Sequence, residues 1–157
     1  MLNEKLPRTL RNFSLAIMIF AFLGFLDSMY LTASRFFGIP LQCNITSGCE
    51  TVTTSTYSEI FGIPVVLIGV IFYLIMFFGA FAYFETNNTR LLRLVSVLPV
   101  GGFLFSVWLV YVQLFILKAI CQYCMASAII STVLFALGLM VLRISAPSPS
   151  LTAGDAG

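Results

Sequence analysis

The residues best equipped for chemistry are four cysteines set as two pairs: Cys43 and Cys49, separated by five residues, and Cys121 and Cys124, separated by two. A disulfide across two residues closes only a tiny ring and restricts the unfolded chain little, yet it permits ready cycling between dithiol and disulfide. Lys118 just upstream, and a helix N-terminus expected at Cys121, would favour the thiolate that such exchange needs. The bland alternative is two inert disulfides, or one loop staple plus buried thiols, as small proteins of oxidising compartments use. A zinc site of four thiolates calls for two close pairs, and the wider pair fits that poorly. The chain has no histidine and no cysteine run suited to an iron–sulfur cluster, so no metal is expected.

The elements that must position these thiols belong to a membrane. The chain is 60% hydrophobic and 9% charged, with mean hydropathy +1.04, beyond what an ordinary soluble globule carries. Ile60 to Phe84, Leu94 to Leu117 and Ala119 to Leu142 contain no charged residue, and each meets the roughly 20 residues a helix needs to cross about 30 Å of hydrocarbon. A further span, Asn12 to Ser34, is interrupted only by Asp27. Its length and bulky Phe20, Phe22 and Phe25 argue against a cleaved signal peptide. Lys5, Arg8, Arg11, Arg90, Arg93 and Arg143 fall on one side of the spans, against Arg35 and Lys118 on the other, so both termini are expected in the cytosol. The predicted fold is an all-α membrane protein: a four-transmembrane-helix bundle over residues 1–145, with a long external loop between helices 1 and 2. Residues 146–157 read as a disordered cytosolic tail.

This topology places all four cysteines at one membrane face, two in the external loop Phe36 to Glu59 and two where the fourth span begins. Phe-Gly-Ile-Pro occurs at Phe37 to Pro40 and again at Phe61 to Pro64, where the chain leaves and re-enters the bilayer, and Pro64 is suited to begin the second span. Val52, Tyr57 and Ile60 at helical spacings predict a short amphipathic helix roofing the bundle. Asp27 is costly inside a span and is assigned chiefly to helix packing, with proton tuning as the second reading. Pro99, Gly101 and Gly102 predict a bend or a close helix contact in the third span. Trp108, Tyr111 and Gln113 approach the external half, where they could line a pocket. Electrons from a dithiol need an acceptor, and the chain has no nucleotide-binding motif and no haem signature. A lipid-soluble quinone suits the apolar phase around Cys121 and Cys124.

Cys43, five residues, Cys49, then Val52, Ser55, Tyr57, Ser58 and Phe61-Gly62-Ile63-Pro64, followed far downstream by Cys121-Gln122-Tyr123-Cys124, resembles the vitamin K epoxide reductase family. The likeness is to its prokaryotic disulfide-forming branch and extends from about Phe13 to Leu142. It implies a quinone-dependent thiol oxidoreductase of a prokaryotic cell membrane that reoxidises a thioredoxin-like partner and supports disulfide formation. Cys43 and Cys49 would be the shuttle pair, Cys121 and Cys124 the pair beside the quinone, and Ser55 a serine near the active site. The resemblance further implies that the partner attacks Cys43, that Cys49 then attacks Cys121, and that Cys124 delivers electrons to ubiquinone, menaquinone or a relative. Trp108, Tyr111 and Tyr123 are the expected quinone contacts.

Two departures narrow this expectation. Ala128 stands where the vertebrate enzymes carry a tyrosine, which favours ordinary quinone over vitamin K epoxide. No thioredoxin-like domain follows the bundle in this chain, so the partner is expected to act in trans. The competing class is a non-enzymatic membrane binding or assembly protein with structural disulfides, which leaves the ordered motif from Cys43 to Pro64 without a reason.

Overall fold

The computed structural model describes residues 2–44 and 48–145; the predicted tail, 146–157, lies outside the described residues. Helix α1 is Leu2–Phe37, and the connection after it carries α2 (Cys49–Thr53), a 3-10 turn (Thr56–Ser58) and a minimal hairpin of β1 (Glu59–Ile60) and β2 (Ile63–Pro64). Helices α3 (Val65–Thr86) and α4 (Thr89–Tyr111) follow, α4 continues as a π-helical turn (Val112–Leu117), and α5 is Gln122–Ile144. Among the described residues, four segments are long and apolar enough to span a bilayer: Arg8–Phe37, Val65–Thr86, Thr89–Leu117 and Gln122–Ile144. The chain is therefore an all-α, multi-pass membrane bundle.

Helix α1 packs against α3 and α5, and α4 packs against the same two, so the spans close into a ring. Leu15, Ile19, Phe22, Ile71, Phe78 and Leu104 face outward, as a lipid solvent permits. Lipid offers little hydrophobic drive between helices, so close backbone approach and interhelical hydrogen bonds matter more. A Cβ on Gly138 of α5 would stand 2.7 Å from the Ser96 carbonyl oxygen and 3.5 Å from Pro99 Cγ. The predicted feature at Pro99 is thus a close helix contact. On the opposite wall, the Ser14 hydroxyl donates to the Ala80 carbonyl at 2.8 Å.

The predicted second span begins too early. Glu59 to Pro64 form the hairpin, with Glu59 opposite Pro64 and Ile60 opposite Ile63, and α3 starts only at Val65. Phe61 and Gly62 both have positive φ, 53° and 79°, the combination a tight type I′ hairpin turn requires. An apolar Phe-Gly-Ile-Pro string has the composition of a span start, and only its backbone conformation tells the two apart. The earlier copy of the motif does something different: Gly38, at φ 65°, ends α1 as a left-handed C-terminal residue. The expected amphipathic roof is also divided, with Val52 in α2, Tyr57 in the 3-10 turn and Ile60 in β1.

Candidate functional site

The long connection folds back over one end of the bundle and brings both cysteine pairs together. Cys43 and Cys49 are joined by a disulfide, whereas Cys121 and Cys124 are free thiols. Cys49 opens α2 and is buried, as are Val52 and Cys121; Leu41, Cys43, Leu117, Ala119, Tyr123 and Cys124 pack around them. The approach is close enough to need glycine, since a Cβ on Gly48 would lie 2.7 Å from the Ile120 nitrogen and 2.9 Å from its oxygen. Arg35, at the end of α1, latches this roof: its guanidinium donates to the Thr53 carbonyl and the Ser58 hydroxyl and pairs with Glu59. The roof thus hangs on α1 from one side and on the α4–α5 turn from the other.

Cys121 lies just outside the span that begins at Gln122 and is the N-cap of α5. Its sulfur accepts the Cys124 backbone N–H at 3.4 Å, and its own N–H donates to Gln113 Oε1 at 3.1 Å. A hydrogen bond from the Cys124 thiol, above all, and backbone N–H groups of Cys124 and Tyr123 lower the Cys121 thiol to about 7, against burial and the charge of Asp27, which oppose the shift. Stabilising the thiolate by hydrogen bonds at a helix start makes a sulfur that leaves readily in exchange.

Cys124, one turn along, borders a cavity of about 350 Å³ between the helices. Its walls are largely apolar, with Phe72, Phe105 and Leu109 among them, and hydroxyls enter from Ser106, Ser127 and Tyr73. The Tyr73 hydroxyl lies 2.8 Å from Ser127 Oγ and 3.2 Å from Ser131 Oγ. A volume at the lower end of ordinary ligand pockets, apolar walls and a few hydroxyl donors suit a flat ring bearing two carbonyl oxygens. Cys124 also borders a smaller space of about 60 Å³ under the roof, where Ser55, Ser58, Arg35 and Gln113 meet. Ser55 itself donates to the Val52 carbonyl at 2.8 Å, closing the end of α2.

The structure brings Cys43, Cys49, Cys121, Cys124 and Ser55 to one end of the bundle, but it does not bring the three expected aromatic contacts to the cavity lining. Trp108 is exposed and packs against Tyr57 and Phe105, and Tyr111, also exposed, stacks on Phe115. Both fall outside the α4 stripe Leu98, Gly102, Phe105, Leu109 that faces the space. Tyr123 points to the roof, pairing with the Tyr30 ring and donating to the Gln42 carbonyl at 3.1 Å. Sequence reasoning missed Tyr73, Ser127 and Ser131. The serines had a signal: with Cys124 they recur at i, i+3 and i+7, one face of α5. Asp27 lies one residue before Ser28, a cavity wall, and within electrostatic reach of Cys121; its Oδ2 is buried without a hydrogen-bond partner among the described residues.

The sequence model of the vitamin K epoxide reductase family matches residues 15–139. That stretch runs from the first span through the fourth and includes both cysteine pairs. Comparison with curated proteins gave no match.

Proposed function

Since this chain belongs to the vitamin K epoxide reductase family, whose members are membrane oxidoreductases acting on thiols and quinones, we propose that it reoxidises a thioredoxin-like protein and passes the electrons to a membrane quinone. The observation that carries this reading is the single buried cluster joining the Cys43–Cys49 disulfide to Cys121, with Cys124 on the wall of an apolar cavity.

The chemistry follows as thiol exchange. A partner thiolate attacks Cys43, forming a mixed disulfide and releasing Cys49 as a thiolate. Cys49 attacks Cys121 of an inner Cys121–Cys124 disulfide, and Cys124 leaves as a thiolate. The partner's second thiolate displaces Cys43, completing the partner's own disulfide. Cys43 then attacks Cys49, restoring the loop disulfide and expelling Cys121. Two electrons now reside on the inner pair. The hydrogen-bonded Cys121 sulfur is the better leaving group in the last step, which favours inward flow. A quinone supplies an acceptor for two electrons and two protons. Phe72, Phe105 and Leu109 would hold its ring, the hydroxyls of Ser106, Ser127 and Tyr73 would orient its oxygens, and Cys124 would stand at its edge as the inner disulfide re-forms.

An intact loop disulfide beside an inner dithiol is the state in which these steps leave the four cysteines. We place the cysteine face outside the cytosol, as the basic residues of the opposite end suggest. Purified protein given a reduced thioredoxin-like protein and ubiquinone or menaquinone should form quinol and oxidised partner in equal amounts. A folded preparation that exchanges thiols but reduces no quinone would overturn the reading in favour of a binding protein with a labile disulfide.

A further inference from the structure

Gln113 is buried inside the thiol cluster at 3% exposure, a costly place for a carboxamide unless its polar atoms are used. Its Oε1 accepts the Cys121 N–H at 3.1 Å, and its main-chain carbonyl accepts the Ala119 N–H at 3.2 Å. One residue therefore ties down both ends of the reversal between α4 and α5. It does so from a π-helical turn, Val112–Leu117, in which Val112 and Gln113 turn inward while Leu114, Phe115 and Ile116 face out. Such turns are rare and frequent at functional sites. The turn ends at Lys118 in the left-handed region, φ 49°, and three residues later Cys121 caps α5. An N-cap residue has no helical acceptor for its own N–H, and here the Gln113 side chain is that acceptor.

We propose that Gln113 is a positioning residue for thiol exchange: by holding the Cys121 main chain it directs the Cys121 sulfur toward Cys49 and leaves Cys124 facing the cavity. The inference rests on the relay described above and names what sets its order. In a disulfide exchange the attacked sulfur and the leaving sulfur are chemically different outcomes. When Cys49 attacks Cys121, a Cys49–Cys121 bond forms, the Cys121–Cys124 bond breaks, and the electron pair leaves on Cys124, beside the acceptor cavity. Attack on Cys124 instead would strand the thiolate on Cys121, under the roof. The Cys121 sulfur is held by the Cys124 N–H and the Cys121 main chain by Gln113, so the Gln113 bond fixes where the Cα–Cβ bond starts and the Cys124 N–H fixes where the sulfur ends.

The test uses the full chain with both disulfides oxidised, no quinone, and dithiothreitol as the electron source, followed by acid quench, alkylation and mass mapping of all four cysteines. Gln113→Leu should slow the appearance of reduced Cys121 and Cys124 about tenfold, the scale of one lost hydrogen bond, while Gln113→Glu, which keeps an acceptor oxygen, stays within about threefold of the parent. Reduction of the loop disulfide itself should be unchanged in both, and Gln113→Leu should yield Cys49–Cys124 peptides that the parent lacks. Inward transfer in Gln113→Leu at the parent rate with no Cys49–Cys124 product would overturn the proposal. So would equal slowing in the Leu and Glu variants, which would mark a merely structural site; the Glu variant therefore decides the matter if the Leu variant fails to fold. Because no quinone is present, a protein that proves unable to reduce quinone can still pass or fail this test.

Discussion

At the end where α3 turns into α4, Tyr83, Leu92, Val95, Met76 and Val141 form a closed apolar core with Leu10 and Ile17. At the other end the buried cluster is small, built around Cys49, Val52 and Cys121, and a cavity of about 350 Å³ opens directly beneath it. The turns differ in the same sense. Asn87, left-handed at φ 51°, closes α3, and Asn88 caps α4 by accepting the Arg90 N–H at 3.1 Å, so two residues suffice. The cysteine end instead spends 27 residues between α1 and α3 and adds a π turn between α4 and α5. One end is packed for rigidity, and the other keeps space, thiols and hydroxyls in register. The contrast teaches that the anchored end supplies the fixed geometry from which a loosely filled end can do chemistry.

The sharpest way to break this comparison is to interrupt the thiols. Cys124→Ala should abolish quinone reduction and, on treatment with a reduced thioredoxin-like protein, leave no inner disulfide for Cys49 to attack by exchange. Any Cys49–Cys121 bond in that variant must then arise by attack of the Cys121 thiolate on Cys49 of the loop disulfide, which releases Cys43, or from an added oxidant acting on the two thiols. Cys49→Ala has no loop disulfide for a partner to attack, so the mixed disulfide is reached from the other side: given the oxidised partner, the Cys43 thiolate opens the partner's disulfide and forms a Cys43–partner bond that no Cys49 is there to displace. Non-reducing mass mapping decides the assignment, and a dominant Cys49–partner bond in Cys124→Ala would exchange the outer and inner roles of the loop cysteines.

A smaller effect is expected at Asp27. Its carboxyl is near enough to feel Cys121, yet it does not line the cavity that Cys124 borders. Asp27→Asn should lower quinone reduction roughly tenfold, short of the 10²–10⁴-fold loss that follows removal of an obligatory proton-transfer group. Steady-state turnover at matched amounts of folded protein measures it. Complete loss would place the carboxyl in the reaction itself.

The legibility of the molecule in its sequence divides along the same line. Spans were readable because a bilayer demands long apolar runs, and the gathering of all four cysteines at one end was readable because both cysteine pairs lie in connections at the same end of those spans. The hairpin at Phe61-Gly62 was not, since its composition is that of a helix start. The cavity was not either, because it is made by four helices whose relative rotation no single segment encodes; Trp108 and Tyr111 were chosen for depth and chemistry, but rotation turns them outward. The depth of Gln113 in the third span is legible. Its bond to Cys121 spans a π turn, a local register change that hydrophobic periodicity does not reveal.

The thiol electrostatics can be sharpened next. With the loop disulfide intact and the inner pair reduced, thiolate absorbance should rise through pH about 7, the position to which the Cys124 hydrogen bond lowers Cys121. Below that pH Cys121 is protonated and loses its nucleophilicity; above it the thiolate predominates. Cys124→Ala removes the leading cause, so the absorbance midpoint should move upward. An unchanged midpoint would assign the lowering to the backbone donors alone.

The finest test sets two adjacent glycines of α4 against each other. Gly101 and Gly102 both border the cavity, but an added Cβ meets nothing within 4 Å at Gly101, whereas at Gly102 it would stand 2.6 Å from Phe72 Cζ. Replacing a helical glycine by alanine removes backbone freedom from the unfolded chain and gains roughly 0.5–1 kcal/mol where there is room. Gly101→Ala should therefore raise thermal stability slightly, while taking a methyl's volume from the cavity and raising KM for quinone. At Gly102 the same methyl must push the Phe72 ring, which packs edge-on against Tyr73 at 5.2 Å, and overpacking of this kind costs about 1–3 kcal/mol. Since Tyr73 holds Ser127 and Ser131, Gly102→Ala should lower both stability and quinone turnover. Opposite signs of the change in Tm at neighbouring positions would show that the space beside Cys124 is maintained at the expense of packing. Equal destabilisation at both would mean that this end of the bundle is as tightly filled as the other.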